Sequence, residues 1–354
     1  MKKVFNILSL LLLLISVSAC FSNNYENGEL QIFMPGEYIS SEVVDQFEYE
    51  YRIKTNITVF ESNESMYTKL LVGGSFDIVI PSDYMIERLI KEKMVQKLDK
   101  SKITCFDYLY DGVLNMDFDP NNDYSIPYFW GNAGIVYDET LIDQNDVESQ
   151  GWNVLKNQKY KGMIYMYDSI RDMFMIAEKS LGYSMNSDNP DELEKSFDWL
   201  KSISSTMEPA FAADECIDGL AYGEKAMGFM YSGDAAYILS ENENMRFYAP
   251  NEGTNYFVDS MLILNSAKNI ENAYKFINYI TDYDAAYENS SYVGYASVNK
   301  EVLHDITLPG ADFEGNEAYI PRAKTDKDEV FHNEEEALAI ESEYWTKVKF
   351  GKGE

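Results

Sequence analysis

From residue 29 onward, short apolar runs alternate with amphipathic stretches. LQIFM at 30–34 has the length and composition of a strand. SSEVVDQFEYEY follows and sets Val43, Val44, Phe47 and Tyr51 on one helical face behind a serine cap. NITVF at 56–60 predicts a second strand, and SMYTKLL at 65–71 a second helix. FDIVIP at 76–81 is a continuous apolar run of the kind buried on both faces of a parallel sheet, and YMIERLI at 84–90 opens the next helix. This β-α-β-α-β-α order predicts a parallel α/β sheet. Strands at GMIYMY (162–167), AMGFMY (226–231) and VDSMLIL (258–264) predict a second such unit. Helices are expected at 169–180 and from Asp234, and IENAYKFINYI brings Ile270, Ala273, Phe276, Ile277 and Ile280 to one face. EEEALAIESEYWTKVKF is expected to end the chain as a helix. For 354 residues, two α/β lobes are the natural count.

The first residues follow a different pattern. Lys2 and Lys3 precede ILSLLLLLISV at 7–17, an uncharged run too short for a comfortable bilayer span but of signal-peptide length. It ends in Val17-Ser18-Ala19-Cys20, which resembles a bacterial lipobox whose cysteine receives diacylglycerol. Residues 1–19 are therefore read as a lipoprotein signal peptide, Cys20 as the lipidation site, and 20–28 as a polar tether.

Composition narrows the chemistry. The chain is 45% hydrophobic and 25% charged, as a globular protein is. Its formal charge of −31 becomes −33 when Lys2 and Lys3 leave with the signal, which argues against nucleic acid and anionic lipid as partners and permits a cationic ligand. With Cys20 lipidated, Cys105 and Cys216 remain, far apart and without metal-site spacing; both are expected to be buried and inert. The two histidines, His304 and His332, belong to no hydrolase or metalloprotease motif, and no phosphate- or dinucleotide-binding loop is present. No metal and no cofactor are expected.

Chemistry concentrates just after the strands. Glu37-Tyr38, Ser82-Asp83-Tyr84 and Tyr231-Ser232-Gly233-Asp234 follow strand ends, where open sheets bind ligands. These turns hold tyrosines and acids without Lys, Arg or His. Aromatic faces attract an organic cation, and carboxylates form charge-assisted bonds to each ammonium. Asp83 and Asp234 taken singly read as helix caps; the convergence of the set points to a site.

Long stretches carry a family resemblance from about residue 30 to the end: VFESNESMYTKL (59–70), DIVIPSDYMIERLIKEKMVQKLDKSKI (77–103), FDPNNDYSIPYFWG (118–131), LGYS (181–184), GFMYSGDA (228–235), PNEGTNYFVDSMLI (250–263) and VGYASVN (293–299). The chain resembles the spermidine/putrescine-binding proteins of bacterial ABC transporters. The resemblance implies a two-lobed, periplasmic-binding-protein-like α/β fold with hinge crossovers near Gly131–Ala133 and Asn255–Phe257 and an interlobe ligand cleft. It implies lobes of 29–132 plus 257–302 and of 133–256 plus 303–354. Asp259 matches the family's amine-binding acid and Asp172 a glutamate that contacts a terminal amine. Tyr38, Ser82, Tyr84, Tyr231, Phe257 and Tyr295 match wall and hydroxyl positions, and Glu37 and Asp234 match acids of the putrescine-preferring branch. His332 falls near a polar contact from the C-terminal segment. Pro35, Tyr231 and Phe257 stand where the family has tryptophans, so Trp130, Trp152, Trp199 and Trp345 are expected off the wall; Ser169 stands where the spermidine branch has an acid. The implied partners are a polyamine and an ABC permease, with a membrane held only through the lipid, and a monomer is expected. Competing readings are a binder of another cationic solute or ferric iron, a sensory lipoprotein, and a glycosidase, for which no carboxylate pair can be singled out by spacing.

Overall fold

The computed structural model describes residues 25–351. The lipobox and Cys20 lie outside the described residues. Its strands are β1 (Glu29–Pro35), β2 (Lys54–Phe60), β3 (Ile78–Val79), β4 (Ser125–Asp138), β5 (Tyr165–Tyr167), β6 (Ala210–Ala212), β7 (Met227–Tyr231), β8 (Met245–Tyr248), β9 (Tyr256–Ile263) and β10 (Ala296–Ser297). Its α-helices are α1 (Ser41–Tyr51), α2 (Asn63–Leu71), α3 (Asp83–Lys91), α4 (Gln144–Gln150), α5 (Ile170–Leu181), α6 (Pro190–Thr206), α7 (Glu215–Ala221), α8 (Ser232–Glu241), α9 (Ile270–Thr281), α10 (Tyr283–Val293), α11 (Lys300–Asp305) and α12 (Glu335–Phe350). Among the described residues no helix is long and apolar enough to cross a membrane.

The first unit forms as its periodicity predicts. β2, β1 and β3 lie side by side and parallel, and α1 buries Val43 and Phe47. Ser40 precedes α1 without a side-chain cap bond; its hydroxyl turns to Glu42 instead. α9 buries Ala273, Phe276, Ile277 and Ile280, and the Phe276 ring meets Phe47 edge-on at 5.3 Å. Residues 25–28, within the span read as a tether, bond to the end of α1: the Tyr25 hydroxyl donates to Glu48 at 2.6 Å and the Asn27 amide to the Tyr51 carbonyl at 2.7 Å.

The wholly parallel sheet is corrected by β4 and β9. The sheet order is β10-β4-β9-β3-β1-β2, and β9 runs antiparallel to both β3 and β4. β4 is also the longest strand. Its first part, Ser125 to Asn132, pairs with β9; from Ala133 onward it pairs antiparallel with β7, and from Ile135 with β8. One strand thus leaves the first α/β unit and enters the second, which makes the molecule two-lobed. Thirteen of its fourteen residues are buried, so no polar alternation marks it in the sequence, and Pro127 at a register shift hides it further. In the second unit β5 and β6 form a separate parallel pair, and α12 packs on α5 and α6, where the Ser204 hydroxyl donates to the Val348 carbonyl at 2.8 Å. Cys105 and Cys216 are free and buried, and burial pushes their thiols up to about 11 and about 12.

Candidate functional site

A cavity of about 320 Å³ opens where these strand ends meet. Eight of the ten singled-out side chains line it: Tyr38, Ser82, Tyr84, Asp172, Tyr231, Phe257, Asp259 and Tyr295. β1 ends just before Tyr38, Ser82 precedes α3, Asp172 stands in the first turn of α5, β7 ends at Tyr231, and β9 carries Phe257 and Asp259. Four rings run as a continuous edge-to-face array. Tyr38 meets Tyr295 at 5.7 Å, Tyr295 meets Phe257 at 5.9 Å, and Phe257 meets Tyr231 at 5.5 Å. Such contacts hold the ring faces in fixed directions. None of the four tryptophans lines the cavity.

Two buried carboxylates sit on this belt, and each is half satisfied. The Tyr38 hydroxyl donates to Asp259 Oδ2 at 2.5 Å, and the Tyr231 hydroxyl donates to Asp172 Oδ2 at 2.8 Å. The remaining oxygens, Asp259 Oδ1 and Asp172 Oδ1, have no hydrogen-bond partner, although Asp259 is 7% exposed and Asp172 3%. Burial pushes Asp259 up to about 6 against the pull of the Tyr38 and Ser82 hydroxyls. Ser82 stands close enough to favour the ionised form, yet Oδ1 lacks a donor at bonding geometry. Asp172 is raised for the same reason, against Ser169, Tyr231 and Arg171. Asn255, also buried and lining the cavity, leaves its Oδ1 unpaired. Unpaired buried acceptors are costly, and a donor entering the cleft would satisfy all three.

Neighbouring groups hold this arrangement. The Tyr128 hydroxyl donates to the Tyr38 carbonyl at 2.7 Å, and Asn289 ties Tyr128 to the Ser40 amide. The Tyr295 hydroxyl donates to Asp234 at 3.0 Å, so Asp234 stands behind a wall ring; burial pushes it up to about 7. Gly233 permits that ring: a Cβ there would lie 2.2 Å from Tyr295. Asp83 is the first residue of α3 rather than its N-cap, which is Ser82; its carboxylate accepts from the Tyr84 amide at 2.8 Å and the Phe331 amide at 3.4 Å.

Two placements differ from expectation. Glu37 does not reach the cleft: it is exposed in a left-handed backbone conformation (φ 51°), and its carboxylate accepts from the Tyr292 hydroxyl at 3.0 Å. The cleft also holds a cation, which the turns after the strands do not. Arg171, next to Asp172, lines the cavity with its guanidinium 4.0 Å from the centre of the Tyr84 ring. The ring face expected to meet a ligand already meets a protein cation. Reading only the turns after strands missed Arg171, because it lies inside a helix. His332 is not on the lining; its ring lies 3.3 Å from Glu87, while the adjacent Phe331 faces the cavity.

Comparison with known proteins gives concordant results. The family model for bacterial extracellular solute-binding proteins matches residues 42–316. The Escherichia coli spermidine/putrescine-binding periplasmic protein is 34% identical over 330 residues, covering 92% of this chain and 93% of that protein. The E. coli putrescine-binding periplasmic protein is 29% identical over 351 residues, again covering 92% and 93%. The solved structure of a spermidine/putrescine ABC transporter substrate-binding protein from Streptococcus pneumoniae superimposes with a TM-score of 0.79 at 35% identity, covering 91% of this chain and 98% of that one.

Proposed function

The chain belongs to the bacterial extracellular solute-binding protein family, a family of binders rather than enzymes, and from that premise we propose that it captures a small polyamine and delivers it to an ABC importer. The observation that carries the reading is the pair of buried, unpaired carboxylate oxygens, Asp172 Oδ1 and Asp259 Oδ1, on an aromatic belt. Each is an acceptor lacking a donor, and an ammonium brings three N–H donors and a positive charge. The rings between them suit the methylenes that join two ammonium groups. Asp259 and Tyr38 then hold one amine, Asp172 and Tyr231 the other, with Ser82, Phe257 and Tyr295 as wall and Asp234 supporting Tyr295. The relatives' printed names, spermidine/putrescine-binding and putrescine-binding, support the same ligand class.

In this reading residues 29–132 plus 257–302 form one lobe and 133–256 plus 303–354 the other, and the lobes close on the ligand by a hinge. The mature protein is a monomer held at the membrane through lipid on Cys20, and the closed form is what the permease recognises. Calorimetry against putrescine, cadaverine, spermidine, arginine, 4-aminobutyrate and a neutral sugar tests the ligand class. We expect a di- or triamine to bind at micromolar Kd or better, about −8 kcal/mol, and the sugar to give no heat. Because Arg171 provides a cation in the cleft, the amino acids are the severe controls. Tighter binding of arginine or 4-aminobutyrate than of any polyamine sinks the reading.

A further inference from the structure

We propose that Glu87 and His332 are positioning residues: together they latch the C-terminal segment of the second lobe onto α3 of the first, and the cleft releases its ligand faster when the His332 ring gives up its proton. This rests on the polyamine reading above and adds to it a contact outside the cleft that sets how long the ligand is held.

The segment from Lys327 to His332 is fastened to the second lobe. The buried Lys179 of α5 donates to the Lys327 carbonyl at 2.8 Å and meets Glu329 at 3.0 Å. The Glu329 carbonyl accepts from the Tyr256 amide at 2.8 Å, and the Asn186 side chain accepts from the His332 amide at 2.8 Å. The same segment then meets α3 of the first lobe. His332 Nδ1 lies 3.3 Å from Glu87 Oε2, which also accepts from the Asn333 amide at 2.9 Å, and Arg88 pairs with Glu335 at 2.9 Å. Next to these ties Phe331 faces the cleft, and its amide donates to Asp83 at 3.4 Å, beside Ser82 and Tyr84 on the lining. These contacts cross between the lobes without a covalent link. A hinge opening of the cleft must part them, so their strength enters the rate of ligand release.

The charges around the ring set the direction of the effect. The Glu87 carboxylate holds the His332 ring above its ordinary value against the effect of burial, and Asp83 of the same helix and Asp117 before β4 add to this. Glu87 is in turn held below the usual carboxylate range by His332, the Asn333 amide and Lys91, so it stays ionised while the ring titrates. The other charged groups are Arg171 of α5, Glu334 of the segment and Glu341 of α12, which line one small recess together with the ring. A ring that binds its proton more tightly when latched favours the latched form as pH falls towards its ordinary value. Asp83, pushed up to about 7 by burial, takes a proton over part of the same window and blunts the effect, whereas Glu87 keeps its charge. The His332 and Glu87 side chains are 31% and 36% exposed, which limits the expected effect to about three-fold in release rate.

The test is stopped-flow release of putrescine from the purified protein in detergent at pH 6.5 and pH 8.5. Protonation of the cleft acids speeds release on acidification in every variant, so the readout is the rate of each variant relative to wild type at the same pH. His332→Gln keeps a hydrogen-bonding side chain that cannot titrate. It should release about three-fold faster than wild type at pH 6.5 and within about 1.5-fold of it at pH 8.5. His332→Lys, charged at both values, should match wild type at pH 6.5 and release about three-fold more slowly than wild type at pH 8.5. Glu87→Gln should reproduce His332→Gln, and adding His332→Gln to it should change release no further. A His332→Gln ratio that is the same at both pH values overturns the proposal and leaves the polyamine reading standing. So does a His332→Lys protein that releases as fast as His332→Gln at pH 6.5. A folded wild type that binds no putrescine removes the polyamine reading and this one with it.

Discussion

Two depressions in this protein are lined by acids and tyrosines, and they behave differently. The larger, about 690 Å³, lies between α1, α9 and α10 and presents Glu42, Glu50, Asp282, Asp284 and Glu288 beside Tyr51 and Tyr279. All five acids are exposed. Glu42 is held below the usual carboxylate range by its own backbone amide and the Ser40 and Ser41 hydroxyls, and Asp282 accepts from the first amide of α10. The smaller cleft, about 320 Å³, holds fewer acids, but they are buried, raised and short of donors. Solvated carboxylates are already satisfied by water and gain little from a cation. Desolvated ones lack that partner, and a charged donor entering the cleft supplies it. Burial without a partner is not sufficient either. Glu178 is fully buried with both oxygens unpaired, and burial pushes it up to about 9, which favours its neutral form. It is absent from the cleft lining, where Asp172 and Asp259 face an opening a ligand can enter.

Neutralising the cleft acids should separate the two regions most sharply. Asp259→Asn and Asp172→Asn each keep the side chain's size and remove the charge. A charge-assisted bond contributes about 1.5–3 kcal/mol, so putrescine affinity measured by calorimetry should fall roughly ten- to a hundred-fold in either variant. Wild-type affinity in both would leave the unpaired oxygens without a role.

Acidification is the next largest lever. Ligand ammonium groups need ionised carboxylates, so binding lowers the raised pKa values, and affinity must fall as pH drops through them. With Asp259 at about 6, affinity at pH 5 should be roughly ten-fold below that at pH 7.5, and more if Asp172 titrates in the same window. The effect on ligand-free stability has the opposite sign. A carboxyl raised in the folded state binds its proton more tightly there than in the unfolded chain. Asp83 and Asp234, at about 7, and Asp259 therefore contribute stability that is present at low pH and lost as pH rises through 6–7. Affinity that is flat between pH 7.5 and 5 in the wild type would shift recognition from charge to shape.

Wall geometry ranks third. Gly233→Ala forces the Tyr295 ring away from a Cβ that would otherwise lie 2.2 Å from it, which disturbs both the Asp234 bond and the aromatic belt. Overpacking of this kind costs about 1–3 kcal/mol, so a lower melting temperature and several-fold weaker binding are expected together. The smallest effect belongs to the surface groove. Glu50→Gln combined with Asp284→Asn should leave polyamine affinity unchanged within about two-fold, because exposed charges are screened at ordinary ionic strength. A large loss there would mean that cations are recruited through the groove.

The sequence alone determined the local elements and pointed to the proposed ligand class and to most of the residues that line the cleft. β1 to α3 follow from apolar periodicity because each element buries one face or one run. Tyr38, Ser82 and Tyr231 were legible because strand ends in such sheets converge, and Phe257, Asp259, Asp172 and Tyr295 entered through long stretches of family resemblance. Other features were decided only by the tertiary structure. β4 is buried along nearly its whole length, so no alternation betrays it, and its pairing with β9, β7 and β8 turned a presumed parallel sheet into a mixed one. Glu37 stands outside the cleft lining, and Arg171 of α5 reaches the Tyr84 ring of α3 and Glu64 of α2. The physical reason is common to all three. Periodicity reports which face of an element avoids water, whereas the position of a side chain within a cleft depends on the relative placement of elements far apart in the chain.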